Sequence, residues 1–190
     1  YEQAFGVAAD EVFANVAAVQ IVACGTSYHS GLVARYWIEE YAGIPCAVEI
    51  ASEFRYRKLV VAKDTLFVTI SQSGETADTL AALRLAHTLG YRSTLAICNA
   101  PQSSLVRESH LAIMTEAGPE IGVASTKAFT CQLAALAVLA IGAGKVRGNL
   151  SRDDERKLVH ALIEVPRHMS EALKLEEHIE RLAKQIADAS

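Results

Sequence analysis

The stretch Thr65 to Gly90, TLFVTISQSGETADTLAALRLAHTLG, decides the fold. Its first six residues, Thr65 to Ile70, form an apolar run of strand length rich in β-branched and aromatic side chains. Leu80, Leu83, Leu85 and Leu89 then recur at helical spacing, and Gly90 is a good C-terminal stop. Between them, Ser71-Gln72-Ser73-Gly74-Glu75-Thr76 makes a turn from strand to helix. Working outward, the same alternation repeats. Val19 to Ala23 reads as a first strand, Ser30 to Tyr41 as a helix, and Cys46 to Ile50 as a second strand. Ser93 to Cys98 and Leu111 to Met114 read as the fourth and fifth, and a long helix covers about Thr126 to Ala143. Short strands alternating with helices imply βαβ units and a parallel sheet covered on both faces. The expected fold is α/β: a three-layer, doubly wound sandwich around a five-stranded parallel sheet, flavodoxin-like or Rossmann-like, with flanking helices.

The ends differ from this middle. One amphipathic helix, Ala9 to Val16, lies within residues 1–18, and residues 19–148 carry all the strands. Residues 149–190 are charged and helical, with a cap at Ser151, a break at Pro166 and a resumption from Met169 to Ala189. A chain of 190 residues suits one well-filled domain with such an appendage. With 51% hydrophobic residues, most segments should be buried. A net charge of −4 without a Lys/Arg block argues against nucleic acid. The longest apolar run, Leu133 to Ala143, is short of the roughly 20 residues a membrane span needs and reads as a core helix. Cys24, Cys46, Cys98 and Cys131 are widely spaced, form no CxxC pair and have no His at ligand spacing, so neither metal nor other cofactor is expected. Buried, reduced thiols and a cytoplasmic location are the matching expectation. The start shows no signal-peptide pattern and no Met, as in a part of a longer polypeptide.

Ligands of open parallel sheets bind at the carboxyl ends of the strands. Three hydroxyl-rich segments map to that edge: Cys24-Gly25-Thr26-Ser27, the turn Ser71 to Thr76, and Gly122-Val123-Ala124-Ser125-Thr126-Lys127. The first N–H groups of a helix have no internal partner and carry the positive end of its dipole. A phosphate can collect them, with the Ser71, Ser73 and Thr76 hydroxyls and the Gln72 amide completing its shell. Gly74 lets the backbone approach without a Cβ. For any one of these segments taken alone, helix capping is the better explanation. Convergence of three on one edge favours an anion site. Neither GxGxxG nor GxxxxGK[ST] is present, which disfavours dinucleotides and nucleoside triphosphates. A compact phosphate on a polyhydroxylated small molecule suits the side chains better.

CGTSYHSG, EIASEFRYR, SQSGETADTL and EIGVASTKAFT, in this order from about Val19 to Leu133, resemble the sugar isomerase (SIS) domain family. More narrowly, they resemble the first of two SIS domains in the enzymes that make glucosamine 6-phosphate from fructose 6-phosphate and glutamine. The resemblance implies that Ser71, Gln72, Ser73 and Thr76 hold the sugar phosphate with help from Ser27. It implies that Cys24, Gly25 and Thr26 line the sugar and that Val123 and Ser125 touch its other side. The ligand would be a hexose 6-phosphate, either fructose 6-phosphate or glucosamine 6-phosphate. In that family a glutaminase domain precedes and a second SIS domain follows. The base is a Glu of that second domain, the amine-bearing Lys lies near the C-terminus, and the ring-opening His comes from a neighbouring subunit. None of these segments is in this chain, so no catalytic residue is expected here. The chain is expected to bind hexose phosphate without turnover and to form a homodimer.

Several residues invite stronger readings. Glu75 beside the turn suggests a base, but a first-turn carboxylate ordinarily answers the helix dipole. Lys127 suggests a ligand contact or an ion pair, and His29 a contact with the sugar or a structural role. Glu49, Arg55 and Arg57, with Phe54 and Tyr56, suggest a charged network. His110 stands where relatives are expected to carry an acid. Two other functions remain open at this point. One is a SIS-type regulatory domain that senses sugar phosphates, which would carry a basic segment. The other is a complete phosphosugar isomerase, which would need its own base and ring-opening His.

Overall fold

The computed structural model describes Phe5, residues 8–122 and residues 125–187. Helix α1 spans Ala9–Asn15 and strand β1 Ala18–Ala23. Helix α2, Gly25–Trp37, continues into a π-helical turn, Ile38–Ala42. Strand β2 (Cys46–Ile50), the short helix α3 (Ala51–Phe54) and strand β3 (Thr65–Ser71) follow. Helix α4 covers Ala77–Ala86, β4 Ser93–Cys98, α5 Ser104–Glu108 and β5 Leu111–Met114. A 20-residue helix, α6, then runs Lys127–Val146.

The five strands form one sheet in the order β2-β1-β3-β4-β5, every neighbouring pair parallel. This is the expected doubly wound arrangement. The central strand β3 is buried at all seven positions, as a strand covered on both faces must be. The chain moves from β1 outward to β2, returns to β3 and then moves the other way to β4 and β5. Strand order therefore reverses between β1 and β3, and the segments leaving these two strands diverge there.

Two apolar clusters fill the space on either side of the sheet. One joins α1, α2 and α6 to strand residues such as Ile21, Val68, Ile70 and Ile97. The other joins α3, α4 and α5 to Val22, Phe67 and Ala96. Phe67 is fully buried, with the rings of Phe54 and Tyr91 at 5.2 and 4.9 Å. Burial of such a side chain contributes roughly 2–3 kcal/mol. At Gly144 of α6 an added Cβ would stand 2.5 Å from the Tyr41 carbonyl oxygen, so glycine lets this helix lie against the π-helical turn. Arg147, just beyond α6, donates to carbonyl oxygens of Ala42 and Val16 at 3.1 and 2.7 Å and ties the π turn to the end of α1. By length and composition α6 could cross a membrane. Here its Ala135, Leu136, Leu139 and Ala140 belong to the first cluster, and it serves as a core helix.

Local expectations shift in three places. The helix after β1 begins at Gly25, not Ser30, so Thr26 and Ser27 occupy its first turn. Ser30 Oγ bonds back to Ser27 O at 2.7 Å, which keeps a hydroxyl-rich segment helical. The short helices α3 and α5 lie in segments the periodicity leaves unassigned. Pro166 does not break the C-terminal helix. The second compact unit, residues 152–190, holds α7 (Arg152–Leu173, with Pro166 inside) and α8 (Glu176–Ala187). The interruption falls at Lys174 and Leu175, because a proline removes one ladder hydrogen bond without forcing a helix to end. Ile163 and Leu173 of α7 and Ile179 and Ile186 of α8 are exposed.

Candidate functional site

The first strand-to-helix turn reaches the switch point from β1. Cys24 occupies the N-cap of α2 with extended backbone and makes no side-chain cap bond, and the first turn holds no acid. The second turn reaches it from β3. Ser71 Oγ accepts the Gly74 N–H at 3.0 Å and shares a hydrogen bond with Thr76 Oγ1 at 3.2 Å. Ser73 Oγ accepts the Glu75 N–H at 3.2 Å. These bonds fold the turn onto itself. Thr76 is the N-cap residue of α4 but makes no cap bond, because its hydroxyl faces Ser71. The capping explanation thus fails at α4: the hydroxyls shape the turn and leave the helix N–H groups to other acceptors.

Gly74 holds that shape for two reasons. Its φ is +67°, and a Cβ there would lie 2.1 Å from Ser103 Oγ and 2.8 Å from Cys98 Sγ. Its carbonyl accepts the Leu105 N–H at 3.1 Å, which fastens the turn to α5. The Asn99 N–H reaches Gln72 O at 3.3 Å and adds a tie to the end of β4.

The third segment closes the opposite wall. Glu120 Oε2 accepts the Ala128 N–H of α6 at 2.9 Å and the Ser125 hydroxyl at 3.3 Å. Ser125 therefore gives away its proton and turns lone pairs toward the open side.

Between the three lies a cavity of about 360 Å³, lined by Cys24, Gly25, Thr26, Ser27, Ile70, Ser71, Gln72, Ser73, Thr76, Thr79 and Ser125. Nine of the ten residues named from the sequence border it; the tenth, Val123, lies outside the described residues. Sequence reading missed Ile70 and Thr79. Thr79 follows Thr76 by three positions on one helix face, and that spacing was available as a signal. The lining holds no carboxylate, amine or imidazole among the described residues. Donor hydroxyls, one amide and two helix N-termini with no side-chain cap give it positive potential without a formal charge.

The side chains that invited stronger readings stand elsewhere. Glu75 Oε1 accepts the Ser104 N–H at 2.7 Å and so serves the start of α5. That backbone bond, then the Ser104 hydroxyl, holds its carboxyl below the usual range. Lys127 is exposed and absent from the lining. His29 is exposed, its ring edge-on to Tyr28 at 5.4 Å. Arg57 grips Glu49 with two bonds of 2.8 and 2.6 Å. Arg55 pairs instead with Asp78 at 2.7 Å and lies over the Tyr56 ring, so the expected network is two separate pairs, the second tying the end of α3 to the first turn of α4. His110 Nδ1 meets the Thr94 N–H and hydroxyl at 3.2 and 2.9 Å, a structural role at the sheet edge. All four cysteines are free; Cys46 and Cys98 are buried, Cys24 and Cys131 half-buried. Burial pushes the Cys46 thiol up to about 12. Among the described residues no His, Cys, Asp and Glu group could hold a metal ion.

The profile of the family described as SIS domain matches residues 13–142. A glutamine–fructose-6-phosphate aminotransferase (isomerizing) of Pseudomonas putida is 62% identical over 98% of this chain, and that of Vibrio vulnificus 58% over the same share. In both cases the chain spans only 30% of the relative. Among solved structures, the C-terminal domain of glucosamine–fructose-6-phosphate aminotransferase from Francisella tularensis superposes with a TM-score of 0.94 at 50% identity. That match covers 97% of this chain and 52% of the other. Glucosamine-6-phosphate deaminase from Thermotoga maritima, at 24% identity and a TM-score of 0.63 over 80% of this chain and 49% of its own, shares the fold.

Proposed function

The chain belongs to the SIS domain family, and from that premise we propose that it is the sugar-phosphate-binding half of the isomerase part of a glutamine–fructose-6-phosphate aminotransferase. The observation that carries the reading is the α4 N-terminus. Its own N-cap hydroxyl makes no cap bond, and it opens on a cavity lined by neutral donors. A phosphate monoester is the ligand that uses such donors best, since helix N–H groups and hydroxyls answer its three terminal oxygens. The sugar then lies toward α2 and Ser125, where one wall donates and the other accepts. A cavity of about 360 Å³ is of a size for a phosphorylated hexose.

The whole enzyme would convert L-glutamine and D-fructose 6-phosphate to D-glucosamine 6-phosphate and L-glutamate. Moving a proton between adjacent carbons needs a base of suitable pKa, and the cavity lining supplies none among the described residues. On this reading the chain supplies the hexose-phosphate grip, and turnover falls to a second SIS domain and a glutaminase domain of the same polypeptide. Four free thiols suit a cytoplasmic enzyme, and pairing of two copies suits a site that borrows a ring-opening group from a neighbour.

Calorimetric titration with fructose 6-phosphate tests the reading. Thr76→Ala and Ser73→Ala are each expected to weaken binding about tenfold, the effect of a hydrogen bond to a charged group. Unchanged affinity in both variants overturns the phosphate assignment.

A further inference from the structure

We propose that Gln132 is a positioning residue that fixes Ser27 as a hydrogen-bond donor toward the cavity. The inference rests on the phosphate reading of that cavity and deepens it.

Gln132 is the one polar side chain among the buried residues of α6, at 1% exposure. A carboxamide held among alanines and leucines is costly unless both its ends are bonded. Its Nε2 donates to Ser27 Oγ at 3.0 Å, and its Oε1 faces Ser30 Oγ at 3.4 Å. Ser30 in turn donates to Ser27 O at 2.7 Å. Ser27 is 7% exposed and borders the cavity. A serine hydroxyl has one proton and two lone pairs, and left alone it rotates to suit any neighbour. Here the amide N–H of Gln132 occupies a lone pair from behind, and among the described residues no acceptor takes the Ser27 proton. That proton is left for the cavity. The turn Ser71 to Thr76 and the α4 N-terminus present donors on the same side, so the Gln132–Ser27 pair adds a prearranged donor where an oxyanion would sit. A freely rotating Ser27 would offer lone pairs to that oxyanion part of the time.

The test is a double-mutant cycle on binding, with Gln132→Met, Ser27→Ala and the double variant titrated calorimetrically against inorganic phosphate and fructose 6-phosphate. Thermal unfolding of each variant runs alongside. Each single change is expected to weaken binding about fivefold, the effect of one ordered neutral hydrogen bond. The double variant should be no weaker than Ser27→Ala, because Gln132 acts only through that hydroxyl. A merely structural role would lower affinity equally in both backgrounds, and that additivity overturns the proposal. Unchanged or tighter binding by Gln132→Met beside a weakened Ser27→Ala also overturns it, and shows the amide oxygen rather than the nitrogen facing Ser27. If Ser27→Ala and Thr76→Ala both leave affinity unchanged, the phosphate reading itself has failed. Should Gln132→Met not fold, Gln132→Glu goes through the same cycle, since it accepts from Ser27 where glutamine donates. Its loss of affinity should be larger with Ser27 present than in the Ser27→Ala background, and an equal loss in both overturns the proposal.

Discussion

The helices α4 and α6 start in much the same sequence, hydroxyls beside a small residue, yet their N-termini meet different fates. At α6 the Glu120 carboxylate accepts the Ala128 N–H and binds Ser125. At α4 the nearest carboxylate, Glu75, turns away and serves the start of α5. Asp78, in the first turn of α4, is held by Arg55. One N-terminus is thus answered by the protein itself and the other is reserved. The difference teaches that hydroxyl content does not mark a ligand site. What marks it is where the neighbouring carboxylates have gone.

Four substitutions would break or sharpen this contrast. The largest effect belongs to Gly74→Ala, which forces a side chain into a left-handed backbone and against Ser103 and Cys98. Strain and overpacking together should cost about 3 kcal/mol in urea unfolding and abolish phosphate binding. A near-neutral result would mean that the turn is not rigid, and the reserved N-terminus would lose its basis. Ser71→Ala comes next. It leaves the buried Gly74 N–H without its acceptor and should destabilise by about 2 kcal/mol.

Glu120→Gln weakens the cap of α6 and should cost about 1 kcal/mol while leaving phosphate affinity within twofold. A large loss of affinity would place Glu120 in the binding machinery and erase the contrast. Glu75→Gln has the smallest expected effect. Its carboxyl is depressed in the folded protein, so its contribution is present above the ordinary carboxylate range and fades as pH falls through the folded value. Wild type should exceed the variant slightly near neutrality, and the two unfolding curves should merge only once pH has fallen below the depressed folded value. Phosphate affinity in this variant should hold or rise, since a negative charge has been removed. A fall would mean that Glu75 contacts the ligand.

The positions of the strands and of the main helices were legible because they follow from periodicity. Val19 to Ala23 and Thr65 to Ile70 are apolar throughout, and only a sheet covered on both faces buries such runs. The hydroxyls of Ser71, Ser73 and Thr76 were legible as a group at a strand-to-helix turn, and the cavity gathers them. Gln132 and Glu120 were not named, since their roles depend on partners 105 and 8 residues away. A lone glutamine in an apolar helix was the one hint of the first. Pro166 and Ser30 misled for the same reason: local preference is weak against a helix that other contacts sustain.

The sequence by itself determined the parallel sheet and the concentration of neutral donors at the carboxyl ends of its strands, because side-chain period and turn chemistry are local properties. Only the tertiary structure decided how those donors are used. Hydrogen bonding is a matter of angstroms, and a shift of one neighbour turns a hydroxyl from donor to acceptor. That is why Ser27, which accepts from Gln132, and Ser125, which donates to Glu120, stand in opposite hydrogen-bonding roles at the lining of one cavity.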